Sequence, residues 1–246
     1  MTDPAPSRQT GLVYANLTGR PPGSLVRVLG RVLPGVAAVQ RQVAPYADHW
    51  HRANAEAIER GRRRWIVFGD SMSLGIGAST PSQGWVGQAH RQLREDGVEV
   101  DVVNLSANGA GVADVLQQQI PAWAGLPPAR TGSAADVVSV LVGSNDLFGR
   151  RHRDGLPAQF EQLAQALPTG AIIGLLTQPS AAARAVNDVL QAQQAARRLR
   201  LVDLRSDGPS SWRGKLAGDH FHPNDLGYAG IAAPFVEPLR EALRTT

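Results

Sequence analysis

The sequence predicts an α/β protein in which helices cover both faces of a central parallel sheet of five strands. From Arg64 onward, short apolar runs alternate with longer stretches of helical periodicity, which is the pattern of a doubly wound sheet. The run from Val137 to Val142 is apolar apart from Ser139, as expected for a strand that is buried on both faces. The length of 246 residues allows one large domain, or one domain with a terminal extension.

The elements follow one another in a regular order along the chain. The predicted strands are Trp65 to Phe68, Val98 to Leu105, Val137 to Val142, Ala171 to Leu176 and Leu199 to Leu204. The predicted helices are Gln83 to Glu95, Val112 to Trp123, Pro157 to Leu167, Ala181 to Arg198 and Leu226 to Leu243. Because a helix lies between each strand and the next, the strands are expected to run parallel.

Residues 1–62 are interpreted as an N-terminal extension to a main domain of residues 63–246. The first 24 residues or so are rich in Pro, Gly, Ser and Thr and are expected to be loose, whereas Leu25 to Gly61 has a helical pattern. Its apolar residues recur at steps of three and four and share one face: Val39, Val43, Tyr46, Trp50, Ala53 and Ala57. The favoured interpretation is a helix packed on the main domain, with Pro45 in its first turn.

A rival interpretation of the same stretch is a basic amphipathic segment that touches a membrane surface. The Pro34-Gly35 pair interrupts the upstream apolar stretch and weakens this alternative. No signal peptide is visible in residues 1–10, and no run is long and apolar enough to span a bilayer, so a cytoplasmic location is expected.

Charge and cysteine content exclude several classes of function. The chain has no cysteine, and hence no disulfide framework, thiolate zinc site or cysteine nucleophile. The net charge of +4 rests almost entirely on arginine, with Lys215 the only lysine. The densest cluster is Arg60, Arg62, Arg63 and Arg64. A nucleic-acid groove would spread charge over one face and interleave aromatic residues, so nucleic acid is not expected as a partner.

Polar side chains collect where ligands bind in an open parallel sheet, just beyond the carboxyl ends of the strands. Ser71 follows the first strand, Gly109 the second and Asn145 the third, while Asp219 and His222 precede the last helix. Ester hydrolysis needs a hydroxyl nucleophile, a base within reach, a group that orients the base, and donors for the oxyanion. With a spacing of three residues, Asp219 can hold one imidazole nitrogen of His222 and leave the other for Ser71.

In these motifs the sequence resembles the SGNH (GDSL-like) serine esterases and lipases. The blocks are Gly69-Asp70-Ser71, then Asn104 with Gly109, then Gly143-Ser144-Asn145-Asp146, then Asp219 to His222 with the closing segment to Tyr228. The resemblance covers residues 64–246 and implies a flavodoxin-like three-layer α/β/α fold. Met72 departs from the leucine of the family motif, a volume-conserving exchange.

The resemblance also implies the roles of the residues. Ser71 would be the nucleophile, His222 the general base and Asp219 the orienting acid, while the Ser71 N–H, the Gly109 N–H and the Asn145 side chain would form the oxyanion hole. The implied reaction proceeds through an acyl-enzyme on a small-molecule carboxylic ester, with short acyl, aryl or acetyl esters favoured. No cofactor and no metal are expected.

Other residues near these motifs have less specific interpretations. His220 is interpreted as a rim or solvated histidine, Asp146 as a turn residue, Asp203 as a capping or loop carboxylate, and Asp70 as an organiser of the nucleophile turn. His49 and His51 lie on different sides of a helix and do not predict a metal site.

Two further patterns bear on ligands. The segment Gly109 to Asp114 resembles a dinucleotide fingerprint, but Asp114 stands where the third glycine is required. Trp85, Trp123, Trp212 and the Gln178-Pro179 loop are candidate pocket residues.

Two alternative functions stay open. An acyltransferase would use the same acyl-enzyme and give the acyl group to an alcohol. A non-catalytic, membrane-recruited binding module would use the region from Leu25 to Arg64. The sequence does not fix the oligomeric state.

Overall fold

The structure is a computed structural model, which describes residues 13–21, 30, 32–129, 135–148 and 153–244. The sheet has five parallel strands: β1 (Arg64–Gly69), β2 (Asp101–Asn104), β3 (Val137–Leu141), β4 (Ala171–Gly174) and β5 (Leu199–Val202). Their order is β2-β1-β3-β4-β5. The predicted fold class, with a flavodoxin-like strand order, is confirmed.

Helices precede and connect the strands. They are α1 (Pro34–Gln40), α2 (Val43–Arg60), α3 (Ser71–Leu74), α4 (Trp85–Glu95), α5 (Val112–Asp114), α6 (Ile120–Ala124), α7 (Ser144–Phe148), α8 (Leu156–Ala166), α9 (Ala181–Ala195) and α10 (Asp225–Arg244). A π-helical segment, Val115–Gln119, joins α5 to α6, so the predicted helix from Val112 to Trp123 is present but not uniform.

The sheet separates two hydrophobic cores because successive side chains of a strand point to opposite faces. Trp65 and Val67 of β1 pack with α4 and α10, whereas Ile66 and Phe68 pack with α8 and α9. The side chains of Trp65 and Phe68 are completely buried. The three layers of the predicted architecture are therefore two helical layers and the sheet between them.

Strand β2 is shorter than the predicted span from Val98 to Leu105. Its pairing with β1 begins at Asp101, opposite Arg64, and ends at Asn104. Val98 and Val100 are buried against the core but precede this ladder. The apolar run therefore predicted the burial of Val98 and Val100 correctly. They are not part of the strand because they precede the residues that pair with β1.

The N-terminal helices cover the edge of the sheet. The predicted apolar face of α2 packs inward: Tyr46, Trp50 and Ala57 are buried, together with Val39 of α1. Pro45 lies in the first turn of α2, as predicted. The apolar stripe is therefore used in packing and is not exposed for membrane contact. The start of the predicted helical stretch, residues 25–29, lies outside the described residues.

Residues 13–21 are not loose, which corrects the expectation for this part of the chain. The buried Asn16 side chain donates hydrogen bonds to the carbonyls of Asn104 and Ser106, at 2.7 and 2.8 Å. Leu17 pairs with Asn108 in a parallel bridge. The Arg20 guanidinium binds both carboxylate oxygens of Asp114. These contacts fix the segment against the loop that follows β2.

The arginine cluster before β1 has structural partners. Arg60 and Arg62 bind the buried Asp101 carboxylate, and Arg64 binds Asp136 through two nitrogens. Arg63 donates to carbonyls in the last turn of α10. The cluster therefore ties together elements of the fold around the amino end of β1.

No helix among the described residues has the length and apolar character needed to cross a bilayer.

The strand order reverses between β1 and β3, and the crevice beyond their carboxyl ends is where ligands bind in folds of this order. The segments that carry Ser71 and Asn145 begin at these two strand ends.

Candidate active site

The nucleophile candidate Ser71 is the first residue of the short helix α3, directly after β1. The Asp70 carboxylate caps this helix and accepts the Met72 N–H at 2.9 Å. Any side chain at Gly69 would lie 2.3 Å from Ser73 Oγ and 2.6 Å from the Leu141 carbonyl, so the turn requires glycine there. The Ser71 N–H lies in the first turn and has no acceptor within the helix. The turn thus presents a hydroxyl and a backbone donor together.

Three predicted residues form a continuous hydrogen-bonded chain. His222 Nε2 lies 2.9 Å from Ser71 Oγ, and His222 Nδ1 lies 2.6 Å from Asp219 Oδ2. The other Asp219 oxygen accepts the backbone N–H groups of Phe221 and His222, at 3.1 and 3.0 Å. The local turn therefore orients the carboxylate, and the carboxylate orients the imidazole.

The positions of the protons in the Ser71–His222–Asp219 hydrogen bonds follow from the ionisation state of Asp219. Burial raises the pKa of Asp219, but the hydrogen bond and charge of His222 and the two backbone donors outweigh it, so that its pKa lies below the ordinary value. An ionised carboxylate only accepts hydrogen bonds, so Nδ1 must carry a proton when it faces Asp219. In the neutral imidazole, Nε2 then has a free lone pair for the Ser71 hydroxyl.

The histidine loop is held against the loop that follows α3. A Cβ at Gly77 would lie 2.5 Å from the Pro223 carbonyl and 2.7 Å from His222 Cβ, so the two backbones touch. Asn224 caps α10 by accepting the N–H groups of Leu226 and Gly227. This packing places His222 over Ser71 although the two are 151 residues apart in sequence.

The candidate oxyanion donors lie around the same cavity. Gly109 adopts a left-handed backbone with φ of 74°, which glycine allows without strain, and nothing lies within 4 Å of the position of an added Cβ. Asn145 Nδ2 donates to the Ala110 carbonyl at 2.9 Å, which orients its amide beside the glycine loop. An amide nitrogen carries two hydrogens, so one remains for a ligand.

A single cavity of about 660 Å³ brings these residues together. The predicted site residues among its lining are Ser71, Gly109, Asn145, Asp219 and His222. Another part of its lining comes from the N-terminal extension: Leu17 to Pro21, Val36, Val39, Gln40 and Val43. The volume is in the range typical of small-molecule sites.

The prediction that three tryptophans and the Gln178-Pro179 loop line the pocket is wrong. Trp85 is completely buried and stacks on Phe235 in the core. Trp123 packs on Phe68 and donates to Asp136. Neither Trp212 nor the Gln178-Pro179 loop lines the cavity. Trp85 lies in the core, Trp123 packs against the core, and the Trp212 side chain is exposed outside the cavity lining.

The other residues near the motifs have structural places. His220 is exposed with a φ of 56°, in agreement with a solvated histidine. Asp146 accepts the Val112 N–H at 3.2 Å and so supports the glycine loop from α7. Asp203 binds the side chain and backbone of Arg205, as expected for a loop carboxylate.

The alternative ligand motifs are also used in structure. The Asp114 carboxylate accepts the Gly111 N–H and holds Arg20, so the dinucleotide-like segment is closed by its own hydrogen bonds. His51 contacts the Tyr14 carbonyl, and His49 packs edge-on against Trp50. Within the described ranges, no three His, Asp or Glu side chains cluster in a way that would hold a metal ion.

Two supporting groups were missed by the sequence reasoning. The buried Gln119 amide accepts the Gly69 N–H at 2.9 Å and donates to the Gly69 carbonyl at 2.8 Å, bracketing the turn before Ser71. Its place in a π-helical segment has no clear signature in the sequence. The Asn54 side chain binds the backbone of Asn104 through both its donor and acceptor, fifty residues away.

The site can be compared with known proteins. The sequence model of the GDSL-like lipase/acylhydrolase family matches residues 67–229. Esterase TesA of Pseudomonas aeruginosa is 31% identical over 169 residues, an alignment that covers 64% of this chain and 78% of the relative.

Solved structures share the fold. A lipolytic protein of the G-D-S-L family from Veillonella parvula has a TM-score of 0.52 at 24% identity and matches 71% of this chain and 97% of its own. The Clostridium thermocellum family 3 carbohydrate esterase has a TM-score of 0.58 at 18% identity, with 74% and 98% covered. A lipase/acylhydrolase from Enterococcus faecalis has a TM-score of 0.58 at 20% identity, with 75% and 98% covered.

Proposed function

The chain belongs to the GDSL-like lipase/acylhydrolase family of ester hydrolases, and on that premise we propose that it cleaves carboxylic esters through an acyl-enzyme on Ser71. His222 is the general base and Asp219 its orienting acid. The Ser71 N–H, the Gly109 N–H and the Asn145 amide form the oxyanion hole.

The observation that carries the proposal is the hydrogen-bonded chain from Ser71 Oγ through His222 to Asp219, with contacts of 2.9 and 2.6 Å. A serine hydroxyl is a weak nucleophile until an adjacent base takes its proton. Because the pKa of Asp219 is lowered, its carboxylate stays ionised. The negative charge stabilises the imidazolium that forms when His222 accepts that proton.

The reaction runs in two halves. Ser71 Oγ attacks the ester carbonyl carbon while its proton moves to His222 Nε2, and the negative oxygen accepts hydrogen bonds from the three donors. As the tetrahedral intermediate collapses, the carbon–oxygen bond to the alcohol breaks and Nε2 returns the proton to the leaving oxygen. Water then attacks the acyl-enzyme with His222 as base, which releases the acid and restores Ser71.

The test compares Ser71→Ala with Ser73→Ala, two buried serines of the same short helix. Ser73 Oγ accepts the Trp85 indole N–H at 3.3 Å and does not line the cavity. Hydrolysis of p-nitrophenyl acetate should fall by several orders of magnitude in Ser71→Ala, because the nucleophile is removed. Ser73→Ala should keep the parent kcat and lose at most ~1–2 kcal/mol of stability through its buried hydrogen bond.

Circular dichroism of both variants shows that the comparison is made on folded protein. Parent-level kcat in folded Ser71→Ala would remove Ser71 from the nucleophile role. Equal losses in the two variants would mean that the helix, and not the hydroxyl of Ser71, was responsible.

A further inference from the structure

The cavity beyond Ser71 has a wall that the family match does not include. The matched residues begin at 67, whereas Leu17, Val36, Val39 and Val43 all precede that position. This part of the lining is therefore a feature of the N-terminal extension of this chain. We infer that the extension builds a binding site for the aliphatic tail of the substrate, an inference that rests on the proposed ester hydrolysis at Ser71.

The chemistry of the wall indicates an apolar ligand. Helix α1 and the start of α2 contribute three valines to the lining, which also includes Leu17 and Ile76. Apart from Asp219 and His222 at the candidate catalytic end, the charged residue of the lining is Arg20, and its guanidinium is already paired with both oxygens of Asp114. The surface available to the tail is thus mainly apolar. Binding of a hydrocarbon chain there is favourable because it removes apolar surface from water.

The wall is fixed on the side of the oxyanion loop. Leu17 is bridged to Asn108, and Arg20 also donates to the Gly109 carbonyl at 3.1 Å. Upstream of both, Asn16 is completely buried and bonded to two carbonyls beyond β2. Residues 16–20 therefore keep their place next to the predicted oxyanion donor.

The wall is also fixed on the side of the nucleophile. The Gln42 side chain accepts the Gly77 N–H at 2.7 Å and donates to the Ala78 carbonyl at 3.0 Å. Tyr46 Oη donates to the same carbonyl at 2.7 Å, and Trp50 Nε1 donates to the Leu74 carbonyl at 3.0 Å. The valines of α1 and α2 are thus held at a fixed distance from Ser71, and the site is preformed.

The expected signature is a dependence of kcat/KM on chain length. Each methylene that moves from water into an apolar wall contributes about fourfold in kcat/KM, and the gain stops when the cavity is full. A cavity of about 660 Å³ extends well past an acetyl group. We therefore expect a rise of at least a hundredfold from two-carbon to longer chains.

Both halves of an ester can carry an aliphatic tail, and two substrate series separate them. The first holds p-nitrophenol constant and lengthens the acyl group from acetyl to dodecanoyl. The second holds acetyl constant and lengthens the alcohol from ethyl to decyl, followed by acid release. A rise in the first series assigns the cavity to the acyl chain, and a rise in the second assigns it to the alcohol; either result supports the site.

Substitutions test whether this wall is responsible. Val36→Trp fills the cavity from α1 and should abolish the rise with chain length. Ala38→Trp places the same side chain on an exposed position of α1 that does not line the cavity, and should keep the parent profile. Leu17→Trp, at another lining position, gives the same test should Val36→Trp fail to fold, as judged by its thermal transition.

The outcomes distinguish this inference from the function on which it depends. Labelling of Ser71 by an ethoxy fluorophosphonate with flat profiles in both series would overturn the tail site and leave the hydrolase intact. A steep profile that both Val36→Trp and Leu17→Trp retain would also overturn it. Absence of labelling and of hydrolysis of every ester would instead refute the proposed function.

Discussion

Asp70 is a buried carboxyl group whose ionisation should oppose folding. Its side chain is 1% exposed, and burial raises its pKa from 3.8 to about 7, although the Met72 N–H and the charge of His222 work in the other direction. Between these two pH values the folded chain holds a proton that the unfolded chain releases. The contribution of Asp70 to wild-type stability should therefore fall as the pH rises from about 4 to 7.

The substitution Asp70→Asn removes the charge and keeps an oxygen that can accept the Met72 N–H. Each pH unit between 5 and 7 costs the wild type about 1.4 kcal/mol that the variant does not lose. The free energy of unfolding of the variant, relative to the wild type, should thus increase by about 3 kcal/mol from pH 5 to pH 8. An unpartnered amide N–H₂ would subtract about 1–3 kcal/mol at every pH, without changing this slope.

Urea unfolding followed by tryptophan fluorescence measures this difference at pH 5, 6, 7 and 8. Glu161→Gln removes an exposed carboxylate on α8 and should stay within about 0.5 kcal/mol of the wild type throughout. If the difference in unfolding free energy between Asp70→Asn and the wild type is constant from pH 5 to pH 8, the raised pKa of Asp70 is contradicted. Asp70 would then titrate alike in the folded and unfolded chains.

Three further predictions concern the catalytic groups. Asn145→Ala should lower kcat about a hundredfold with little change in KM, since it removes an oxyanion donor; an unchanged kcat in steady-state assays would exclude that role. Arg20→Met should reduce kcat severalfold by releasing the Gly109 carbonyl and the Asp114 carboxylate, and should cost about 1–3 kcal/mol of stability because the Asp114 side chain is only 8% exposed and loses its charged partner. Partial recovery of kcat in Arg20→Lys would separate the effect of charge from that of bulk, and an unchanged kcat in Arg20→Met would exclude the role. The pKa of Asp219 is lowered, so its favourable contribution to stability should be present above its ordinary pKa and be lost as the pH falls through the folded value. When the free energy of unfolding is measured at decreasing pH, Asp219→Asn should lack this loss of stability. Identical pH dependences of the variant and the wild type would contradict the prediction.

The positions of the candidate catalytic residues could be predicted because they depend on strand ends. Parallel strands bring their carboxyl ends to one edge, so the placement of Ser71 and Asn145 followed from the apolar runs before them. The spacing of three residues between Asp219 and His222 fits the turn that the structure shows, in which one carboxylate binds both the imidazole and the backbone.

The cavity wall could not be predicted because it depends on contacts between distant parts of the chain. Asn16 and Asn104 are 88 residues apart, and no local pattern marks a proline- and glycine-rich segment as fixed. The same limit explains why the prediction for Trp85 is wrong: this residue is completely buried in the core and does not line the cavity. Burial in a core and exposure to a cavity require the same residue types, and only the packing distinguishes them.

We propose Ser71 as the nucleophile and His222 as the base that activates it. Reaction with an ethoxy fluorophosphonate, followed by digestion and mass spectrometry, tests both parts, because the probe phosphonylates only an activated serine and the adduct does not turn over. We expect one adduct, on the peptide that contains Ser71, and a rate of formation reduced by several orders of magnitude in His222→Ala. An adduct on another serine, or undiminished labelling of Ser71 in His222→Ala, would contradict it.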